Sequence, residues 1–303
     1  MTYSIQTATA FSLPKSFPAA EVEIVLGTAP VRWTPVESGG YGRVNAHWRA
    51  ELHDGRSVFV KHANGADAEE WLCRERRIYE SVRGSFMPIY LGACADTGCV
   101  LLVLEDLSDA EWPPPWSSGR IDAVLAALEE VRMSTPPAGL PVLDGLREAV
   151  VGWGTVRADS EPLLSTGVCG AGWLDEALPA LERAGEDVEL AGDELLHLDV
   201  RSDNLCFVEG RTVLVDWNLA CVGNGLFDIA FWLPSLRLEG GPEPWEVLPH
   251  AGALAAAVAG FFASRAGLPP PIGAPTVREF QRRQLEVALP WAVRELGLPE
   301  LAA

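Results

Sequence analysis

Between Leu195 and Phe207, one histidine, two aspartates and an asparagine (His197, Asp199, Asp203 and Asn204) fall within eight residues, flanked by apolar runs. A third aspartate, Asp216, ends the next apolar run, Val213-Leu214-Val215, and is followed by Trp217. Apolar flanks bury the ends of such a loop, so its carboxylates stand on a rigid platform. Three carboxylates and an amide in one short stretch can do two things together. Some bind a hard cation such as Mg²⁺, which takes oxygen ligands. One accepts the proton of a hydroxyl group.

That pairing is the logic of phosphoryl transfer from ATP. Its recurring parts are a glycine-rich loop over the phosphates, a strand lysine paired with a helix glutamate, a catalytic-loop Asp, a downstream Asn and a metal-binding Asp. All five occur here in that order. Ser38, Gly39, Gly40, Tyr41 and Gly42 supply the glycine loop, and Lys61 ends the alternating run Val58-Phe59-Val60. Glu75 lies on the helix after that strand, one turn before Ile78 and Tyr79, and is preferred over Glu69 and Glu70 as the partner. Asp199 and Asn204 are five apart in an H-x-D-x-x-x-x-N pattern, and Asp216 comes twelve residues later. The chain holds only two lysines, Lys15 and Lys61, against 21 arginines. Retention of Lys61 on a mostly buried strand therefore points to function: a point charge suits an α/β-phosphate better than a guanidinium fork does.

The elements needed to position these residues are legible. Strands are expected over 31–37, 44–52, 57–61, 87–94 and 99–105, with Asp54-Gly55 as a hairpin turn. A helix is expected over 66–82. Pro113-Pro114-Pro115 and Ser117-Ser118-Gly119 then break the pattern. Further helices are expected over 120–133, 143–156, 172–184, 226–236, 245–266 and 277–296. Sheet first and helices after is an α+β arrangement in two lobes, a nucleotide-binding lobe over 1–105 and a catalytic and substrate-binding lobe over 106–303, with a hinge near 105–108.

With these motifs in place the chain resembles the aminoglycoside phosphotransferase-like kinases, the small-molecule branch of the protein-kinase-like superfamily. The resemblance runs from about Val31 to Leu298. It is carried by His197-Leu198-Asp199 to Asn204, by Val215-Asp216-Trp217 and by Gly223 to Asp228; the ending Val287-Ala288-Leu289-Pro290-Trp291 resembles actinobacterial members. The implied fold has a small antiparallel β N-lobe with one main helix and a larger, mostly helical C-lobe. The resemblance also implies roles, residue by residue. Asp199 is the base for the acceptor hydroxyl, and Asn204 and Asp216 hold Mg²⁺. Lys61 meets the ATP phosphates, and Glu75 holds Lys61. Glu105-Asp106-Leu107 form the hinge, giving main-chain hydrogen bonds to adenine. His197 and Asp228 brace the catalytic loop.

Three departures stand out. The family usually has Gly where this chain has Leu198, which is tolerable if φ there is negative. The glycine loop is short and lacks a full G-x-G-x-x-G. Arg201 stands where protein-serine kinases carry a lysine; it either stabilises the transferring phosphoryl group or pairs with Asp203.

Composition bounds the rest. The net charge is −19, and residues 106–303 hold 30 acidic and 13 basic side chains, a net of −17. So acidic a chain excludes general nucleic-acid binding and docking on anionic lipid. It favours a cationic hydroxyl acceptor, an aminoglycoside-like or other cationic antibiotic or metabolite. Residues 1–17 lack a basic stretch followed by an apolar run, and the longest uncharged stretch, 247–264, reads as a buried helix. Six cysteines without CxxC or zinc spacing read as reduced thiols of a cytoplasmic protein, a monomer or weak homodimer. Trp112, Trp116 and Trp153 read as packing residues before pocket residues. The competing class is a nucleotide-binding pseudokinase acting through a protein partner; the intact Asp–Asn–Asp set argues against it. A protein kinase is disfavoured because Asp216 precedes Trp217-Asn218 rather than Phe-Gly.

Overall fold

The computed structural model describes residues 17–36, 45–94, 101–271 and 274–301. The glycine loop Ser38–Gly42, Lys15 and Cys99 lie outside the described residues. The chain forms two compact units: 1–111 with 206–218 and 271–275, and 112–205 with 219–270 and 276–303.

The first unit is built on a five-stranded antiparallel sheet. In chain order its elements are helix α1 (Ala19–Leu26), strands β1 (Pro30–Pro35), β2 (Asn45–Leu52) and β3 (Ser57–Ala63), helix α2 (Ala66–Ser81), and strands β4 (Tyr90–Ala93) and β5 (Leu101–Glu105). The strand order is β1-β2-β3-β5-β4, which puts β3 at the centre. Strand side chains alternate between faces. Val58 and Val60 on one face join Val22, Ala50, Leu52, Leu101 and Val103 in a buried cluster. Lys61 therefore projects from the other face, opposite Leu102 on β5 and His47 on β2. Helix α1 is an addition to the single helix expected in this region. Its one buried side chain, Val22, caps the sheet's apolar face.

The second unit holds helix α3 (Ser118–Met133), a 3-10 turn at Leu143–Leu146, and helices α4 (Arg147–Val151), α5 (Trp153–Ala158), α6 (Glu161–Ser165) and α7 (Ala171–Asp187), followed by strand β6 (Glu194–Leu196). Strands β7 (Leu205–Val208) and β8 (Arg211–Leu214) pair as a hairpin; apart from Leu205 they belong to the first unit. Glu209 (φ 49) and Gly210 (φ 76) form its turn, the conformation a two-residue hairpin loop requires. Strand β9 (Cys221–Gly223) pairs with β6, and helices α8 (Leu226–Leu238), α9 (Pro244–Val247), α10 (Gly252–Ala263) and α11 (Val277–Leu296) complete the second unit.

Two expected helices are broken. The span 143–156 turns at Gly152, φ 74, where a Cβ would lie 2.2 Å from the Gly260 carbonyl oxygen. The span 245–266 is interrupted at Pro249 and His250, the latter at φ 58. Proline has no N–H to continue a helix, and a positive φ ends it. Beyond the break, α10 is buried along nearly its whole length, as expected for 247–264. Among the described residues no helix is long and apolar enough to cross a membrane. Cys73, Cys94, Cys169, Cys206 and Cys221 are free thiols. Burial pushes the Cys206 thiol up to about 12, so it is an inert core residue.

Candidate active site

In the first unit, the strand lysine is enclosed by carboxylates. Lys61, 5% exposed, donates from Nζ to Glu75 Oε1 at 2.7 Å and Oε2 at 3.0 Å, and to Asp216 Oδ1 at 2.9 Å. Glu75 is selected over its neighbours by the helix itself. It faces the sheet at 1% exposure, while Glu70 pairs with Arg74 at the surface. The Tyr79 hydroxyl, one turn on, donates to Glu75 Oε1 at 3.0 Å. Burial drives the ammonium down, but the Asp216 and Glu75 carboxylates outweigh it and hold Lys61 well above its ordinary value. Burial raises Glu75, with Lys61 opposing. Asp216 has φ 69, a conformation Asp tolerates better than most residues and one that turns its carboxylate back toward β3.

The segment expected to be the hinge has its side chains committed to protein. Glu105 accepts from Arg211 Nη2 at 2.6 Å and from the Ile89 N–H at 2.9 Å. Asp106 accepts from Arg49 Nε at 2.6 Å and from the Ser57 hydroxyl. Leu107 is buried against Cys206 and Val213.

In the second unit, the loop between β6 and β7 is organised around two anchors. The first is Asp228, in the opening turn of α8 and 2% exposed. Its carboxylate accepts from the backbone N–H of His197 and of Leu198, each at 2.7 Å. Burial pushes this carboxyl up to about 7, against the pull of those two N–H groups. Leu198 lies at φ 63, so the condition that its φ be negative does not hold. The side chain sits in the left-handed region that glycine would occupy without cost, and the Asp228 clasp holds it there. The second anchor is Asn204, 6% exposed. Its Nδ2 donates to the Asp199 carbonyl and to Asp199 Oδ2, both at 2.9 Å, which fixes the orientation of the Asp199 carboxylate. His197, wholly buried, accepts at Nδ1 from the Asp199 N–H at 3.3 Å.

Arg201 pairs both ways: Nη2 to Asp203 Oδ2 at 3.0 Å and Nε to Asp199 Oδ1 at 3.4 Å. Ser202 bonds to Glu239 Oε1 at 2.5 Å, and Glu239 Oε2 accepts from Trp116 Nε1 at 2.8 Å. Trp116 is thus a packing and bracing residue, stacked edge-on to Trp232. Trp153 is buried and donates to the Ala256 carbonyl.

Beside Asp199 is a cavity of about 150 Å³ that sequence reasoning missed. Its walls are Leu198 to Arg201 on one side, and Phe231 of α8, Phe261 and Phe262 of α10 and Phe280 of α11 on the other. The aromatic doublet of α10 was legible as core; that part of it opens beside Asp199 depends on how three distant helices meet.

No family model and no curated protein sequence matches the chain. Solved structures do. An aminoglycoside phosphotransferase APH(4)-Ia, a thermostable mutant in ternary complex with ADP and hygromycin B, matches at TM-score 0.56 and 14% identity, covering 92% of this chain and 98% of its own. A choline/ethanolamine kinase family protein from Mesorhizobium loti matches at TM-score 0.59 and 15% identity, with coverages of 87% and 92%. Macrolide 2'-phosphotransferase type I matches at 0.53 and 15%, with coverages of 93% and 99%. The chain thus has the protein-kinase-like fold shared by small-molecule kinases and phosphotransferases, the fold its motifs implied.

Proposed function

We propose that the chain is an ATP- and Mg²⁺-dependent phosphotransferase that phosphorylates a hydroxyl group of a small molecule. The observation that carries this reading is Lys61, buried between two carboxylates. Burying a charged triad is costly and adds little stability, but it presents an oriented cation to a phosphate. In this reading Lys61 meets the α/β-phosphates, Glu75 positions it, and the main chain of Glu105 to Leu107 receives adenine. Ser38–Gly42 cover the phosphates. Asp199 takes the acceptor proton, with Asn204 holding its carboxylate in place, and Arg201 faces the transferring group. The ADP and hygromycin B bound to APH(4)-Ia, and the AMP-PNP and hygromycin B of another structure of that protein, support a nucleotide and a small-molecule acceptor here.

The donor set fits Mg²⁺. Asn204 and Asp216 each carry a side-chain oxygen, the donor type a hard cation takes. Mg²⁺ is bound by one or two protein oxygens plus phosphates and water in just such sites. When bound, it would neutralise charge on the phosphate oxygens.

The test is Asp199→Ala. ADP release with an acceptor is expected to disappear while AMP-PNP still raises the thermal midpoint; undiminished turnover would sink the assignment. Asp216→Ala is expected instead to weaken Mg·nucleotide binding. Tight ATP binding without turnover of any acceptor in a broad panel would favour the pseudokinase.

A further inference from the structure

We infer that the acceptor is an uncharged molecule whose hydroxyl is borne on an apolar ring or branched alkyl group. This rests on the kinase reading of Asp199 and names the substrate class of that site. Net charge alone pointed to a cation, but the local chemistry does not. The cavity beside Asp199 is walled by four phenylalanines, with Leu198, Leu219, Val200 and Val277 completing its apolar lining. Phe231 packs against Phe261 at 4.9 Å and Phe262 at 5.9 Å between ring centroids, so the aromatic wall is rigid. Among the described residues Asp199 is the only carboxylate in the lining, and its charge is shared with Arg201 at 3.4 Å. The remaining polar members, Gln281 and Gln284, are neutral amides; Gln284 Nε2 is engaged by Ser235 Oγ at 2.8 Å.

An ammonium group entering this space would be desolvated beside a guanidinium, with no carboxylate of its own to meet. Two of the four phenylalanine rings already have a cation over them: Arg201 stands over Phe280 at 5.9 Å and Arg265 over Phe261 at 4.0 Å. The cavity volume of about 150 Å³ suits one aromatic ring: an apolar cavity of about that size binds benzene. The acidic side chains that dominate the net charge lie outside this lining. In the transfer step, the acceptor O–H gives its proton to the Asp199 carboxylate. The acceptor oxygen forms a bond to the γ-phosphorus of ATP, and the β–γ bridging bond breaks with its electron pair leaving on ADP.

The test compares 2-phenylethanol, choline and 2-deoxystreptamine as acceptors with MgATP, read as ADP release. The neutral alcohol is expected to exceed the other two in kcat/KM by at least about tenfold. Its value is expected to stay flat between about 20 and 300 mM salt, since no charge steers it. Phe280→Glu, at a half-exposed position, is expected to lower turnover of the alcohol and to leave the thermal midpoint nearly unchanged, with Phe280→Leu restoring turnover. Preference for choline or the diamine, or a steep fall with salt, overturns the inference but leaves the kinase reading standing. Binding of 2-phenylethanol is followed separately by ligand-detected NMR. Binding that Phe280→Glu removes, without ADP release, supports the ligand class and counts against Asp199 as proton acceptor. No binding overturns the inference.

Discussion

Lys61 and Leu198 each hold a conformation or charge state that would be costly elsewhere. Lys61 is buried with Glu75 and Asp216, and removing one partner of such a cluster leaves charge uncompensated. Lys61→Met is therefore expected to destabilise the protein by about 3–5 kcal/mol, measured by denaturant unfolding, as well as to abolish transfer. Lys61→Arg is expected to fail as a substitute because a planar fork does not reproduce a point charge met from three directions. At Leu198 the φ of 63 supplies the reference. Leu198→Gly is expected to stay within about 1 kcal/mol of the wild type, since relief of left-handed strain offsets lost burial and added chain entropy. Leu198→Val, β-branched, is expected to cost about 1–3 kcal/mol. That Lys61 is a buried strand lysine was readable from scarcity and strand pattern alone. The strain at Leu198 was not, because φ is set by the Asp228 clasp, 30 residues away in the chain.

Helix α8 braces the loop that carries Asp199 through the carboxylate in its first turn, and burial of that carboxylate couples stability to pH. Asp228 has a folded value near 7, above the ordinary carboxylate range. The folded state therefore binds the proton more tightly than the unfolded one. Its contribution to stability is fully present below about pH 4 and is lost as pH rises to about 7, at up to about 1.4 kcal/mol per pH unit. The stability difference between wild type and Asp228→Asn is expected to fall through that window and to level off above it, followed by denaturant unfolding at each pH. A difference that rises through the window would show Asp228 ionised more readily in the fold. Helix α10 depends on close approach: a Cβ on Gly260 would lie 1.9 Å from the Val151 carbonyl oxygen and 2.6 Å from Trp153 Nε1. Gly260→Ala is expected to cost about 1–3 kcal/mol by overpacking. It should also shift Phe261 and Phe262, seen as altered acceptor KM. Most of the helices were legible from their periodicity; the break at Gly152 was not, since it is decided by the close approach of the Gly260 carbonyl, while the break at Pro249-His250 carries a local proline signal.

For the whole molecule, the −19 charge predicts a general salt response separate from the site. Like charges repel in the compact state, so the thermal midpoint is expected to rise as ionic strength is raised to about 150 mM. An unchanged or falling midpoint would show that the acidic side chains are neutralised locally by their arginine partners. By itself, the sequence determined the α+β class, the sheet-first, helices-after order and the residues proposed for phosphoryl chemistry. These arise from local periodicity and from residue types whose chemistry does not depend on surroundings: a carboxylate binds a cation, a lysine a phosphate. It also singled out Glu75 from three neighbouring glutamates, because helical spacing decides which one faces inward. Only the tertiary structure decided that Asp228 clasps the His197 and Leu198 N–H groups, each at 2.7 Å, that Leu198 takes a left-handed backbone, and that α8, α10 and α11 set a phenylalanine wall beside Asp199. Those facts depend on pairs of residues far apart in the chain, and the free energy that selects them is that of packing and burial, which no local pattern carries.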